Sequence, residues 1–514
     1  MVADDWYLSA AERGNPWTRL DARHADGRAW SEGNSVTPLV HGTTYFAALT
    51  ERVSAMRAGD LLLFVDWRGD PDERLTGEPG SEVARLFADA ARRGVDVRGL
   101  VWRSHWDRLA FSADENRHLG EDIDAAGGEC YLDMRVRTGG SHHQKFVVLR
   151  HPGRPGLDIA FLGGIDLCHS RRDDAEHAGD PQPQPMAAVY GARPPWHDVQ
   201  LALTGPVVGD VETVFRERWE DPQALTRSPI RKALDTVRGD RPRRRALPPQ
   251  LPDPAPTGDH PVQLLRTYGR RLGGYPFAPL GERSVARGYT KAFANARRLI
   301  YIEDQYLWSA EVCALLVATM RRAPDLRLVA VLPHQPDQDG AVSRAPNLVS
   351  RARLLDELHA AAPGRVGVYG IENRAGTPVY VHAKVCVVDD EWVTVGSDNF
   401  NRRSWTHDSE LSAAVVHQGF ARGLRQALAR EHLDTDGELS LEDHFDAYAA
   451  SADALASWCK GAGHATADDR PPGRLRPLDD PEQSRLTRVW ADPLYRLVYD
   501  PDGRPLGLRL RRTF

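Results

Sequence analysis

Val379-Tyr380-Val381-His382-Ala383-Lys384-Val385-Cys386-Val387-Val388-Asp389 is the stretch that decides how this chain is read, together with Gly396-Ser397-Asp398-Asn399 just beyond it. His382 and Lys384 stand two apart in a β-branched run, so strand geometry puts both side chains on one face. A buried histidine beside a solvated lysine would leave the Gly-Ser-x-Asn cluster that follows without a reason.

A second copy lies upstream. Ser141-His142-His143-Gln144-Lys145-Phe146-Val147-Val148-Leu149 repeats the histidine–lysine spacing, and Ala160-Phe161-Leu162-Gly163-Gly164-Ile165-Asp166-Leu167 brings a glycine pair where Gly396-Ser397 follows the other motif. The surroundings repeat as well. Tyr45–Met56 and Ser81–Arg93 have helical spacing, and Leu61–Val65 and Val95–Trp102 read as strands. The order returns with helices at Val285–Ala296 and Glu311–Arg322 and strands at Leu299–Ile302 and Leu326–Leu332. Alternating elements predict an α/β protein with largely parallel strands, built as two similar α/β/α sandwich domains related by a pseudo-twofold axis.

The predicted domains span 36–225 and 260–433. Between them, at 226–259, Arg241-Pro242-Arg243-Arg244-Arg245 precedes Pro248, Pro249, Pro252, Pro254 and Pro256, a run unfit for a sheet or helix interior and read as a linker. Residues 1–35 form an N-terminal segment, and 434–514, ending in the Arg-rich Arg504–Arg512, an appendage to the second half.

At 514 residues, two domains are the prior. A net charge of −6 argues against a generally basic nucleic-acid surface, so no nucleic-acid partner is expected. The chain has five lysines, Lys145, Lys232, Lys291, Lys384 and Lys460, which makes the two in motifs more informative. Cys130, Cys168, Cys313, Cys386 and Cys459 are scattered without metal spacing and read as free thiols. With neither a signal-peptide pattern nor a roughly 20-residue apolar span, a cytoplasmic protein is expected, meeting lipid only at the membrane surface.

The repeated His-x-Lys pattern, with the aspartate at Asp389, resembles the phospholipase D superfamily over about Val36 to His432. Ala160–Leu167 (AFLGGIDL), Trp196-His197-Asp198-Val199 and Ile302-Glu303-Asp304-Gln305-Tyr306 look like segments of the eukaryotic-type enzymes. The resemblance implies one shared active site, a phospholipid substrate, no cofactor and no metal; a monomer is expected. One departure stands out. Where the second motif has Asp389, the first has Arg150 and an insertion over 150–156, leaving open whether Asp158 supplies the carboxylate.

Attack at phosphorus builds negative charge. Lys145 and Lys384 would stabilise it, helped by Asn399 and by donors near Gly163, Gly164 and Ser397. The resemblance assigns His143 as nucleophile, leaving His382 as acid and then base; the residues alone leave these two roles interchangeable. Each imidazole needs an orienting partner. Asp198 and Glu410, in strand-like segments after each motif, are the candidates, with Asp408 as the alternative to Glu410. Asp166, Glu303 and Gln305 are expected at the substrate pocket, and Asp389 is a structural part of the motif. His142, His169, His197 and His407 read as packing or hydrogen-bonding residues, Cys168 and Cys386 as buried apolar ones. Trp67, Trp196 and Trp405 fit either a pocket lining or the core.

The leading expectation is hydrolysis of a glycerophospholipid to phosphatidic acid and a free head group, with transfer to an alcohol as an extension. A phosphatidyltransferase of the cardiolipin synthase type and a nuclease are the alternatives within the superfamily. A catalytically silent lipid-binding scaffold is the alternative of another class, and Arg150 is the residue that favours it.

Overall fold

The computed structural model describes residues 3–24, 27–103, 113–238, 244–337, 341–461, 469–478, 485–511 and 513–514. The first half contributes β1 (Ser31–Val40), β2 (Leu61–Asp66), β3 (Asp96–Trp102), β4 (Glu129–Asp133), β5 (Phe146–Arg150), β6 (Ile159–Gly163), β7 (Trp196–His197) and β8 (Val199–Thr204). The second contributes β9 (His260–Tyr268), β10 (Glu282–Arg283), β11 (Leu299–Glu303), β12 (Arg327–Val331), β13 (Val366–Ile371), β14 (Tyr380–Val381), β15 (Val385–Val388), β16 (Trp392–Gly396) and β17 (Ser409–Val416), and the tail adds β18 (Leu475–Pro477).

These strands make one large mixed sheet. From its centre, where β1 and β9 pair antiparallel, the first half runs β1-β8-β6-β5-β2-β3-β4 and the second β9-β17-β16-β15-β11-β12-β13. The two orders correspond strand for strand, which is the expected pseudo-twofold repeat. The predicted strand directions need correcting. In the large sheet β2-β3-β4 and β11-β12-β13 are parallel, while the other pairings among the described residues are antiparallel. Helical crossovers join the outer strands; β5 to β6 and β15 to β16 return directly, so their direction alternates.

Local sequence explains the elements. The helix α1 (Gly42–Ser54) buries Tyr45, Phe46, Leu49 and Val53, one stripe of a 3.6-residue period. β2 and β15 are buried at every residue, as apolar runs covered on both faces must be. A single apolar cluster passes from Leu63, Val148 and Leu201 in the first half to Val262, Val385 and Leu411 in the second, so the core is continuous across the seam.

The terminal segments belong to this body. Ser31 to Ser35 are already part of β1, and Trp6, Tyr7, Leu8 and Trp30 pack into the apolar cluster of the second half. In the tail, β18 pairs with β13, and the helix Leu441–Lys460 adds Phe445, Tyr448 and Ala452 to the shared core. Of the proline-rich stretch, residues 244–259 form neither helix nor strand, preceded by a helix at Pro229–Arg238; Arg241, Pro242 and Arg243 lie outside the described residues. No helix among the described residues is long and apolar enough to cross a membrane.

The departure at Arg150 is a local exchange of partners. Asp389 accepts hydrogen bonds from the backbone N–H groups of Arg297, Arg298 and Leu299 at 2.7–2.8 Å and so fixes the start of β11. Asp158 does no such thing for β2. It accepts from the His151 N–H at 2.6 Å and pairs with Arg150 at 3.0 Å, while Arg150 also reaches Glu212 at 2.7 Å and the Pro252 carbonyl at 2.6 Å. Arg150 thereby ties the inserted turn, the helix α2 (Val207–Trp219) and the proline-rich crossing together. Arg150→Met should destabilise by about 3–5 kcal/mol, because it removes the cation shared by two buried carboxylates and leaves Glu212 with Arg216 alone and Asp158 with His151. Asp389→Ala should cost less, about 1–3 kcal/mol. Urea melts of the two variants check this order, and an Arg150→Met protein as stable as wild type would contradict it.

Candidate active site

Neither histidine–lysine pair lies within a strand, contrary to the sequence expectation. His143 and Lys145 precede β5, and His382 and Lys384 occupy the gap between β14 and β15. The reason is that these extended segments pair across the seam. The His143 N–H donates to the Ser409 carbonyl at 2.9 Å, and the His382 N–H to the His197 carbonyl at 2.8 Å. Ser409 begins β17 and His197 ends β7, at equivalent points of the two halves.

The side chains repeat the exchange. His143 Nδ1 lies 2.9 Å from Glu410 Oε2, and His382 Nδ1 lies 2.6 Å from Asp198 Oδ2. Each half therefore holds the other half's histidine. With Nδ1 committed to a carboxylate, Nε2 is the nitrogen left to face a substrate. The histidine side chains keep 15% and 7% of their exposure while both carboxylates are fully covered, so the pairs open to solvent at the imidazole end. Ser397 donates its hydroxyl to Glu410 at 2.6 Å. Its counterpart Gly164 leaves no such space: a Cβ there would lie 2.2 Å from Asp198 Oδ1.

Both lysines are buried here. Lys145 Nζ is 3.3 Å from Asp166 and donates to the His143 carbonyl at 3.0 Å. Lys384 donates to the His382 carbonyl and lies 3.5 Å from Gln305 Oε1, while Gln305 in turn donates to the Tyr380 hydroxyl at 2.8 Å. Asn399, at the position matching Asp166, is buried, and its Oδ1 has no hydrogen-bond partner among the described residues.

The electrostatics follow from this crowding. Burial, Lys145 and Lys384 push His143 well below the usual imidazole range, and burial, Lys384 and Arg171 do the same to His382. Burial lowers Lys384 to about 8. Burial and the neighbouring Asp408 raise Glu410 to about 8, and burial raises Asp198. Against burial, Lys145 and Arg171 hold Asp166 down at about 2. The site thus holds neutral imidazoles beside two buried lysines, one of them matched by the ionised Asp166.

The other expected residues sort differently. Glu303 does not face the pocket; it is fully buried, bonded to His197 and His432 at 2.7 Å each. Asp408 is not the partner of His143 but accepts from the Ser141 backbone and hydroxyl, fixing the approach to the first motif. Gly163 lets β6 lie against Val199 and Gln200, whose atoms a Cβ would meet at 2.4–2.7 Å. Trp67 stands beside His143 and Lys145, and Trp196 lies 4.9 Å from the His382 ring, whereas Trp405 stacks on Tyr289 in the core. His142 bonds Gln144, His169 faces Asp70 and Asp72, and His407, Cys168 and Cys386 are buried. Two arginines escaped the sequence reading. Arg171 sits 3.8 Å over the Trp196 ring and 3.8 Å from Asp166, and Arg218 donates to Ser409 Oγ and Asp133. In an arginine-rich chain neither had a distinguishing pattern.

Comparison with known proteins gives both halves the same family. The phospholipase D family model matches residues 74–239, and the model for the phospholipase D-like domain of cardiolipin synthase matches residues 289–431. Phospholipase D alpha 1 of Cynara cardunculus is 26% identical over 509 residues, covering 73% of this chain and 61% of its own length. The Arabidopsis thaliana phospholipase D alpha 1 is 26% identical over 502 residues, covering 71% and 60%. The chain thus spans about three-fifths of the length of these plant relatives. Among solved structures, the phosphatidylserine synthase of Haemophilus influenzae Rd KW20 superposes with a TM-score of 0.53 at 13% identity, over 83% of this chain and 93% of that one, a likeness of fold. With both halves matched by family models and one histidine–lysine motif in each, the chain belongs to the phospholipase D superfamily.

Proposed function

We propose that this protein hydrolyses glycerophospholipids to phosphatidic acid and a free head group through a phosphohistidine. The observation that carries the reading is the crossed pairing: two imidazoles, each oriented by a carboxylate of the opposite half, beside two buried lysines. Neutral His143 attacks phosphorus through Nε2, forming the N–P bond as the bond to the head-group oxygen breaks. His382, protonated once the phosphate anion is bound and Asp198 is beside it, gives its proton to that oxygen. Water then enters, His382 removes its proton, and its oxygen displaces His143 from phosphorus. Lys145 and Lys384 offset the charge on the equatorial oxygens, with Asn399 and the Ser397 region as further donors. Phospholipid as substrate, met at a membrane surface, is supported by the plant phospholipases D among the relatives and by the AFLGGIDL and IEDQY segments.

Transfer of the phosphatidyl group to an alcohol is a second reading, favoured by the cardiolipin synthase domain model that matches the second half. It uses the same intermediate, with an alcohol in place of water. Phosphatidylcholine vesicles with and without glycerol separate the two. Choline with phosphatidic acid supports hydrolysis, and choline with phosphatidylglycerol supports transfer. Cleavage of single-stranded DNA instead, or inertness on every lipid tried, would defeat the lipid reading.

His143→Ala and His382→Ala should each lower kcat by at least about 10³-fold while the circular dichroism spectrum stays native. Turnover preserved in either variant would rule out a shared site. The pH profile carries a third expectation. The Lys384 ammonium is present below about 8 and lost above it, so kcat/KM should fall as pH rises through about 8. A kcat/KM level to pH 9.5 would show that this cation is not needed in its charged form.

A further inference from the structure

Directly behind the Asp198–His382 pair lies a constellation that phosphodiester chemistry does not use. His41 follows β1, His177 sits in the long connection after β6, His197 ends β7, and Glu431 projects from the helix α3 (Gln418–Leu433) of the second half. One ligating atom from each lies within 4.8 Å of the others. Glu431 is the hub: its Oε2 is 2.8 Å from His41 Nε2, and its Oε1 is 3.0 Å from His177 Nε2 and 3.2 Å from His197 Nδ1. The three rings meet edge to face with centroids 5.0–5.7 Å apart, and all three histidines are buried.

The outer nitrogens show what the inner ones are built for. His177 Nδ1 faces the Trp196 carbonyl at 3.1 Å, and His197 Nε2 faces Glu303 Oε2 at 2.7 Å; both partners accept, so both nitrogens carry hydrogen. Held by protons alone, His177 Nε2 must donate to Glu431 as well, whereas His197 Nδ1, 3.2 Å from Glu431, has no hydrogen-bond partner among the described residues. That puts an imidazolium at His177 and an unanswered nitrogen at His197 in one buried site, with the ring centroids 5.7 Å apart. With a cation at the centre, each inner nitrogen offers a lone pair and each outer N–H donates to a carbonyl or carboxylate, the arrangement that metal-bound histidines take. Glu303 is itself held by Tyr301 and His432. His41 has φ 67° and ψ 156°, a region left almost wholly to glycine, and its Nδ1 has no hydrogen-bond partner among the described residues.

We propose that His41, His177, His197 and Glu431 bind one divalent transition-metal ion, Zn²⁺ by their donor set. Three imidazoles and a carboxylate suit Zn²⁺, and four protein ligands make a closed, structural site rather than a catalytic one. Tetrahedral bonds of about 2.0–2.1 Å place neighbouring ligand atoms about 3.3 Å apart. The four ligand atoms lie within 4.8 Å of one another, with Glu431 2.8–3.2 Å from the three nitrogens, so an ion draws them to that common spacing. The ion joins three ligands of the first half to one of the second. It also braces His197, whose carbonyl receives the His382 N–H and whose successor, Asp198, orients the His382 ring.

The test uses the full-length protein, dialysed against metal-free buffer and then titrated with Zn²⁺ and, separately, Co²⁺. Elemental analysis should find one Zn²⁺ retained per folded chain, and Co²⁺ should give the intense visible bands of a tetrahedral ion. Glu431→Gln and His41→Asn should each weaken retention more than about 10-fold. Should either variant fail to fold, the wild-type stoichiometry and Co²⁺ spectrum still decide. Folded wild-type protein that retains no stoichiometric ion, or binding unchanged in both variants, overturns the proposal.

Discussion

The crossed bond between each histidine and the other half's carboxylate is the constraint around which the remaining structure is arranged. Glu410 lies on β17 and Asp198 between β7 and β8, beside the seam, and both are fully covered. Each is met by an imidazole from the opposite side and by a donor of its own half, Ser397 for Glu410 and the Val199 N–H for Asp198. That requires the His143 and His382 segments to leave their own sheets and run along the partner half, which the Ser409 and His197 carbonyls secure. The continuous apolar core and the antiparallel β1–β9 contact keep the two halves in the one alignment where both bonds close.

Two lysines in the same pocket make the charge balance tight. Lys145 is answered by Asp166, whereas Lys384 lies near Gln305 and feels the carboxylates of Asp198 and Asp304. Burial outweighs those carboxylates and depresses the Lys384 ammonium, and burial with the lysine charges depresses both imidazoles.

Much of this was legible in the chain itself. His143, Lys145, His382 and Lys384 announced themselves by spacing, and Asp198 and Glu410 by standing at matched places in a repeat. The pairing of those carboxylates was not legible, because it crosses the seam and depends on contacts 184 and 267 residues apart in sequence. Strand direction was misread since β-α alternation describes β2-β3-β4 and β11-β12-β13 alone. Glu303 was misplaced because a residue at the end of a strand near the site has two faces, and this one turns inward to His197 and His432. The histidine cluster around Glu431 gave no signal, its members being drawn from four distant segments without local spacing.

The crossed arrangement bears on how such a chain can change over generations. In a pair of identical subunits, any substitution at an orienting carboxylate or beside it is made on both sides at once. Once two copies are joined in a single polypeptide, the sides are inherited separately. This chain has used that freedom: aspartate stands on one side and glutamate on the other, with a bare glycine against one and a serine hydroxyl on the other. Joined in one chain, the two histidines of the repeat stand in unequal surroundings that no pair of identical subunits could give them.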